Sequence, residues 1–146
     1  MILVDEEATR AFGAALAPML KAGDIVLLDG PLGAGKTTLV RGLLGALGHV
    51  GEVPSPSFAI VQPYDDLPLP LWHVDLYRID DPREIEELGL ETALGDGALV
   101  VEWPDRAGAG AWPPTALILS IAQREDGSRA LTAQPGEGWE SRWPPR

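Results

Sequence analysis

The chain contains no cysteine, so disulfides, thiolate metal sites and cysteine nucleophiles are excluded together. Its two histidines are too few for a histidine-rich metal centre, which leaves oxygen ligands for any metal. No apolar run approaches the roughly 20 residues that cross a bilayer. Met1-Ile2-Leu3-Val4 meets Asp5-Glu6-Glu7 at once, without the basic flank or apolar length of a signal peptide, so a soluble cytoplasmic protein with no membrane partner is expected. Asparagine is absent, and lysine occurs only at Lys21 and Lys36. Basic residues number 11 against 22 acids, a net charge of −11. Such a balance argues against sequence-independent nucleic-acid binding, which needs clustered Lys and Arg. The acidity is concentrated in residues 51–100, with eleven acids and two bases.

What is present fits one domain: 146 residues, 45% hydrophobic and 23% charged, enough to bury a core. Asp5 caps an expected helix with Glu6 and Glu7 in its first turn, followed by an apolar stripe at Ala8, Phe12, Ala15, Leu16, Met19 and Leu20. Pro18 lies inside the stripe, where it kinks or ends the helix, and Gly23 closes the segment. Asp24 to Asp29 reads as a buried parallel strand, and residues 36–47 as a helix stopped by Gly48. Further strands are expected over Phe58 to Val61, Leu71 to Tyr77 and Ala98 to Trp103, with a short helix over Pro82 to Leu88. Ala116 to Ala122 and Arg129 to Ala133 flank Asp126-Gly127 as an antiparallel hairpin. The expected fold is α/β, a three-layer P-loop NTPase-like domain whose mixed central sheet has a parallel core and antiparallel C-terminal strands. Residues 1–135 would form this domain and residues 136–146 a tail, in which Trp139 and Trp143 could pack on the body or serve a partner.

Gly30-Pro31-Leu32-Gly33-Ala34-Gly35-Lys36-Thr37 matches the phosphate-loop pattern G-x-x-x-x-G-K-[ST], between a predicted strand and a predicted helix. The glycines let backbone N–H groups turn towards phosphate oxygens. Gly33, Ala34, Gly35, Lys36, Thr37 and Thr38 form the cradle, with Lys36 on the β and γ phosphates and the Thr37 hydroxyl on Mg²⁺. Two apolar runs end in acids, Trp72-His73-Val74-Asp75 and Leu99-Val100-Val101-Glu102. Parallel pairing beside the 24–29 strand would bring both acids to the phosphate edge, where a carboxylate near the metal is needed. Ser55 and Ser57 follow the loop's helix on a proline-stiffened segment, where nucleotide switches place a hydroxyl near the γ phosphate. His73 reads as a packed, hydrogen-bonded histidine rather than a catalytic one. The acidic stretch from Asp80 to Glu91 reads as a solvated face that can also recruit a basic partner. No [NT]-K-x-D segment exists to read guanine, so ATP is favoured. The sparse bases after the loop weaken a small-molecule kinase reading. A non-catalytic, ATP-dependent binding module is the competing class.

Leu32-Gly33-Ala34-Gly35-Lys36-Thr37-Thr38, Ser55-Pro56-Ser57-Phe58, His73-Val74-Asp75-Leu76-Tyr77-Arg78 and Val101-Glu102-Trp103-Pro104, in this order, resemble the TsaE (YjeE) family over roughly residues 5 to 133. That is the small bacterial ATPase of the machinery that forms threonylcarbamoyladenosine on tRNA. The resemblance implies Mg²⁺-dependent ATP hydrolysis with TsaB-like and TsaD-like partners, the modification being made by TsaD beside the anticodon, so that tRNA is met only indirectly. It implies metal binding by Thr37 and Glu102, an essential acid at Asp75, a switch hydroxyl at Ser57, and an adenine contact near Glu6 or Asp105. The family commonly has Thr at the Ser57 position and Asp or Asn at that of Pro31. Neither departure removes a phosphate or metal ligand.

Overall fold

A computed structural model describes residues 1–31, 34–54 and 60–145. The first elements follow directly from local chemistry. The Asp5 carboxylate accepts from the Ala8 amide at 2.8 Å, opening helix α1 (Glu6–Leu16) with two acids in its first turn, where they meet the positive end of the helix dipole. Pro18 ends it, since a proline ring cannot donate to the turn before it, and the chain tightens into a 3-10 turn over Ala17–Met19. Strand β2 (Ile25–Asp29) buries its first four residues. Helix α2 (Lys36–Leu47) begins after Gly35 and stops at Gly48, whose φ of 110° lies in the left-handed region that favours glycine.

Seven strands form one sheet. With β1 (Ile2–Leu3), β3 (Val61–Tyr64), β4 (Leu71–Asp75), β5 (Ala98–Glu102), β6 (Leu117–Gln123) and β7 (Arg129–Gln134), the order is β1-β7-β6-β2-β5-β4-β3. The four central strands β6, β2, β5 and β4 are parallel, while β3 and the β6–β7 hairpin with β1 add antiparallel edges. The mixed sheet expected from the sequence is present, with β1 as an unpredicted addition. Two residues give no periodic signal; this strand exists because β7 offers it an edge, pairing Ile2 with Ala130 and Leu3 with Arg129.

Side-chain alternation sends Val26, Leu28, Val100, Leu119 and Ile121 into one core with α1 and α2, and Ile25, Leu27, Val74, Leu99 and Val101 into another. The first core is tight because glycines let the helices touch. A Cβ on Gly13 would stand 1.9 Å from the Leu39 carbonyl oxygen, and one on Gly42 the same distance from that of Arg10. The second face carries shorter pieces: 3-10 runs at Pro82–Leu88 and Pro104–Ala107, and α3 (Leu90–Ala93). The short helix predicted over 82–88 is thus a 3-10 helix with no buried residue, because its sequence supplies no apolar stripe long enough to hold an α-helix down.

From Gly136 the chain lies back over the body. Trp139 is buried and its indole N–H donates to the Thr115 carbonyl at 2.9 Å, while Arg142 pairs with Asp24 at 2.7 Å and lies 3.9 Å above the Trp139 ring. Trp143 meets Phe12 edge-on. Among the described residues no helix is long and apolar enough to cross a membrane.

Candidate nucleotide and metal site

The phosphate-loop segment leaves β2 at Asp29 and re-enters helix at Lys36. Gly33, one of its predicted contacts, lies outside the described residues, as do Leu32 and Ser57, the residue predicted to carry a switch hydroxyl. The flanking glycines explain the loop's composition. Gly30 has a φ of 154°, and a Cβ there would stand 2.4 Å from the Ile121 carbonyl oxygen. Gly35, at φ 105°, caps α2 in a conformation that strains any other residue. Buried Ala34 offers its carbonyl to Arg129 Nε at 2.8 Å, so β7 braces the loop from outside. Thr37 and Thr38 occupy the first turn of α2, half-buried, at the end where the helix dipole favours phosphate.

Parallel register delivers the two acids. Glu102 stands opposite Leu28 of β2 and Asp75 opposite Glu102, so both lie at the C-terminal edge of the sheet, beside the loop. Both belong to the alternation that faces α2. Their exposures are 4% and 5%, an expensive place for carboxylates. His73, two residues before Asp75 on the same face, is fully buried and 2.6 Å from Glu102 through Nε2. With the carboxylate as acceptor, the imidazole donates through Nε2, and among the described residues Nδ1 has no hydrogen-bond partner. The sequence reading of His73 as packed and hydrogen-bonded holds, and its partner is the predicted metal ligand.

Asp75 accepts from the Tyr77 amide at 2.9 Å. Burial pushes its carboxyl above the usual range; the Tyr77 hydrogen bond opposes this, and Glu102 adds to it. Its own amide donates to the Ile60 carbonyl at 2.8 Å. Ile60 has a φ of 65°, unusual for a β-branched residue, and immediately follows the segment that contains Ser57.

Lys36 is buried too. Its ammonium donates to the Gly30 carbonyl at 2.6 Å and lies 4.0 Å from the centroid of the Trp103 ring. Trp103, at φ 58°, turns the chain straight after Glu102 and packs at a tilt against Tyr77 with centroids 4.9 Å apart. Burial lowers the Lys36 pKa, and Glu102, Asp75 and Asp29 pull it back up. Phosphates would supply far more negative charge, so nucleotide binding should restore the proton. In the alkaline range just below the ordinary lysine value, ATP binding should take up protons. Calorimetry in two buffers of different ionisation enthalpy would show a buffer-dependent heat, lost in Lys36→Met; equal heats would contradict this reading of the lysine.

The remaining predicted contacts separate. Glu6 is exposed in the first turn of α1, 3.7 Å from Arg10, whereas Thr9 of the same helix comes close to the loop, its methyl 3.6 Å from where a Gly35 Cβ would be. Asp105 is exposed but shares with Asp29 the lining of a 380 Å³ depression on the other face of the sheet. A 520 Å³ cavity beside it is lined by Gly30, Pro31, Trp103, Ser120 and Thr132. Trp103, Arg129 and Thr9 were missed as individual contacts, because only the folded sheet brings them to the loop; a tryptophan directly after a strand-ending acid is the one signal the sequence offers.

Among the described residues no group of three or more His, Asp or Glu is placed to hold a metal alone. Magnesium in nucleotide sites needs no such cage, since one or two protein oxygens join phosphates and water. The donors here fit that role: the Thr37 hydroxyl and the Glu102 carboxylate, buried beside Asp75 with Lys36 as a facing cation.

Comparison with known proteins shows the family. Residues 3–131 match the family profile described as "Threonylcarbamoyl adenosine biosynthesis protein TsaE". The chain is 36% identical over 140 residues to the tRNA threonylcarbamoyladenosine biosynthesis protein TsaE of Nostoc sp., covering 92% of this chain and 85% of that protein. It is 36% identical over 128 residues to the Haemophilus influenzae protein of that name, covering 84% and 80%. The crystal structure of Bacillus subtilis YdiB superposes with a TM-score of 0.80 at 34% identity, over 97% of this chain and 88% of that one.

Proposed function

Since the chain belongs to the TsaE family of threonylcarbamoyl adenosine biosynthesis proteins, we propose that it binds and hydrolyses ATP with Mg²⁺ in the cytoplasm, in support of threonylcarbamoyladenosine formation on tRNA by TsaB-like and TsaD-like partners. The observation that carries the reading is the convergence of Lys36 with the two buried strand-end acids, Glu102 and Asp75. Lys36 and the loop amides hold the β and γ phosphates. Thr37 and Glu102 would hold magnesium, with His73 fixing the Glu102 carboxylate through its 2.6 Å hydrogen bond. When bound, the ion neutralises charge on the phosphate oxygens. Asp75 orients the attacking water. Its burial keeps its proton affinity high, which suits a group that must accept a hydrogen bond from water without being solvated itself. Ser57 reports the γ phosphate, and the Ile60 carbonyl on the Asp75 amide is the described link between that segment and the acid. Glu6 and Asp105 are proposed adenine contacts. With eleven acids against two bases in residues 51–100, the RNA is held by the partner.

The test is capture of the purified TsaD-like and TsaB-like proteins by this chain without nucleotide, with ADP and with ATP, alongside turnover of ATP. Capture should change by about fivefold or more between nucleotide states, a usual coupling between sites, and Ser57→Ala should blunt that change more than it blunts ATP affinity. Equal capture in every state would sink the proposal.

A further inference from the structure

On the face of the sheet away from α1 and α2 lies a groove of 440 Å³. Its floor is Ile25 and Leu99, at the N-terminal ends of β2 and β5, the opposite edge from Asp75 and Glu102. Ile85 and Leu94 form one wall and Trp112 the other, all only half-buried. A soluble chain leaves such side chains uncovered at a cost in hydration, unless something seats on them.

The rim says what. Glu86 and Glu91 stand exposed at the groove's edge. Residues 80–91 hold six acids and one base, Arg83, which also lines the groove but whose guanidinium is tied to Asp81 at 2.7 Å. Glu84, Glu86, Glu87 and Glu91 have no ion pair among the described residues, so the rim presents uncompensated negative charge around an apolar floor. We propose that this groove docks a basic amphipathic segment of a protein partner, whose apolar side chains enter it while its Lys or Arg residues meet Glu86 and Glu91. A nucleic acid would be repelled by the rim. A second copy of this chain, at a net charge of −11, would bring like charge to it.

The groove is linked to the strand end that carries Glu102 through Trp112. The Trp112 indole donates to the Pro104 carbonyl at 2.9 Å, and Pro104 follows Glu102 by two residues. A partner seated against Trp112 therefore bears on the turn that carries Trp103 and Glu102.

Fluorescence anisotropy of a labelled Leu/Lys amphipathic helical peptide tests the proposal on the full chain. Glu86→Lys with Glu91→Lys should weaken binding about tenfold or more. Asp66→Lys with Glu125→Lys, the same change of charge on exposed residues elsewhere, should weaken it less than about twofold. Ile85→Ser should also weaken it with the charge unchanged. Equal losses in the two charge pairs would mean that only the overall field attracts the peptide, and would overturn the proposal. An unaffected Ile85→Ser would do the same. So would sedimentation showing that the parent self-associates through the groove and that Glu86→Lys with Glu91→Lys abolishes the association.

Discussion

Replacing Lys36 by alanine should weaken ATP binding by at least about 100-fold, roughly 2.7 kcal/mol, while the fold stays intact. Lys36 is the single lysine of the loop, and the other lysine, Lys21, is exposed at the far end of β2, before Asp24. Its ammonium already sits in the site, on the Gly30 carbonyl and over Trp103, with three acids raising its proton affinity against burial. Charge held in a water-poor site acts on phosphate oxygens more strongly than charge in water, and Arg129, the other cation at the loop among the described residues, is engaged by the Ala34 and Gly127 carbonyls. Stability should move the other way from affinity. Burial disfavours the lysine's charge in the folded state, so losing the ammonium removes a penalty as well as a contact. Lys36→Met separates the two effects, because it keeps the apolar stem and removes only the charge. Both variants should lose affinity by similar factors in titration calorimetry, with Lys36→Met melting no lower than the parent. Unchanged affinity in either would remove the phosphate-loop assignment.

The parts of this site that were legible in the sequence are those fixed by short-range rules. Helix α2 spans Lys36–Leu47 as expected, because a phosphate-loop glycine opens it and Gly48 closes it. The strands carrying Asp75 and Glu102 end on the acids themselves, one or two residues earlier than expected, where the apolar run meets the polar edge. Their placement beside β2 followed from parallel pairing of buried strands, which leaves few arrangements. What was illegible depends on distant partners. Arg129 reaches the Ala34 carbonyl across 95 residues of sequence, and no local pattern marks it. Trp103 was visible only as part of a motif, since its place over Lys36 requires a left-handed turn that sequence alone does not announce for tryptophan. Sequence alone leaves Trp139 and Trp143 open between body and partner. Both face the body, because the closing residues find Thr115, Asp24 and Phe12 to pack against.

The two acids should fail differently when neutralised. Asp75→Asn should leave ATP affinity within about twofold and lower turnover by about 10²-fold to 10³-fold, the usual worth of a group that manages a proton or water in the transition state. Asparagine preserves the acceptor for the Tyr77 amide, so the strand end keeps its shape. The same change should raise the melting temperature of the nucleotide-free protein by a few degrees at neutral pH. Burial raises the Asp75 pKa above its unfolded value, so the folded parent favours the protonated acid. The stability linked to that proton is complete below the unfolded value and is lost as pH rises through the folded one. Asparagine, neutral at every pH, escapes that loss, and its advantage should shrink on acidification as the parent takes up its proton. Glu102→Gln should show the other pattern: Mg²⁺ needed at about tenfold higher concentration or more for tight ATP binding, with the effect small when magnesium is left out. Here the amide replaces one carboxylate oxygen on the metal side while its carbonyl still accepts from His73. Magnesium titrations of ATP binding, single-turnover rates and melting curves at neutral and acidic pH distinguish the cases. If both variants titrate magnesium like the parent, and Asp75→Asn turns over at the parental rate, neither acid has the role its strand-end position suggests.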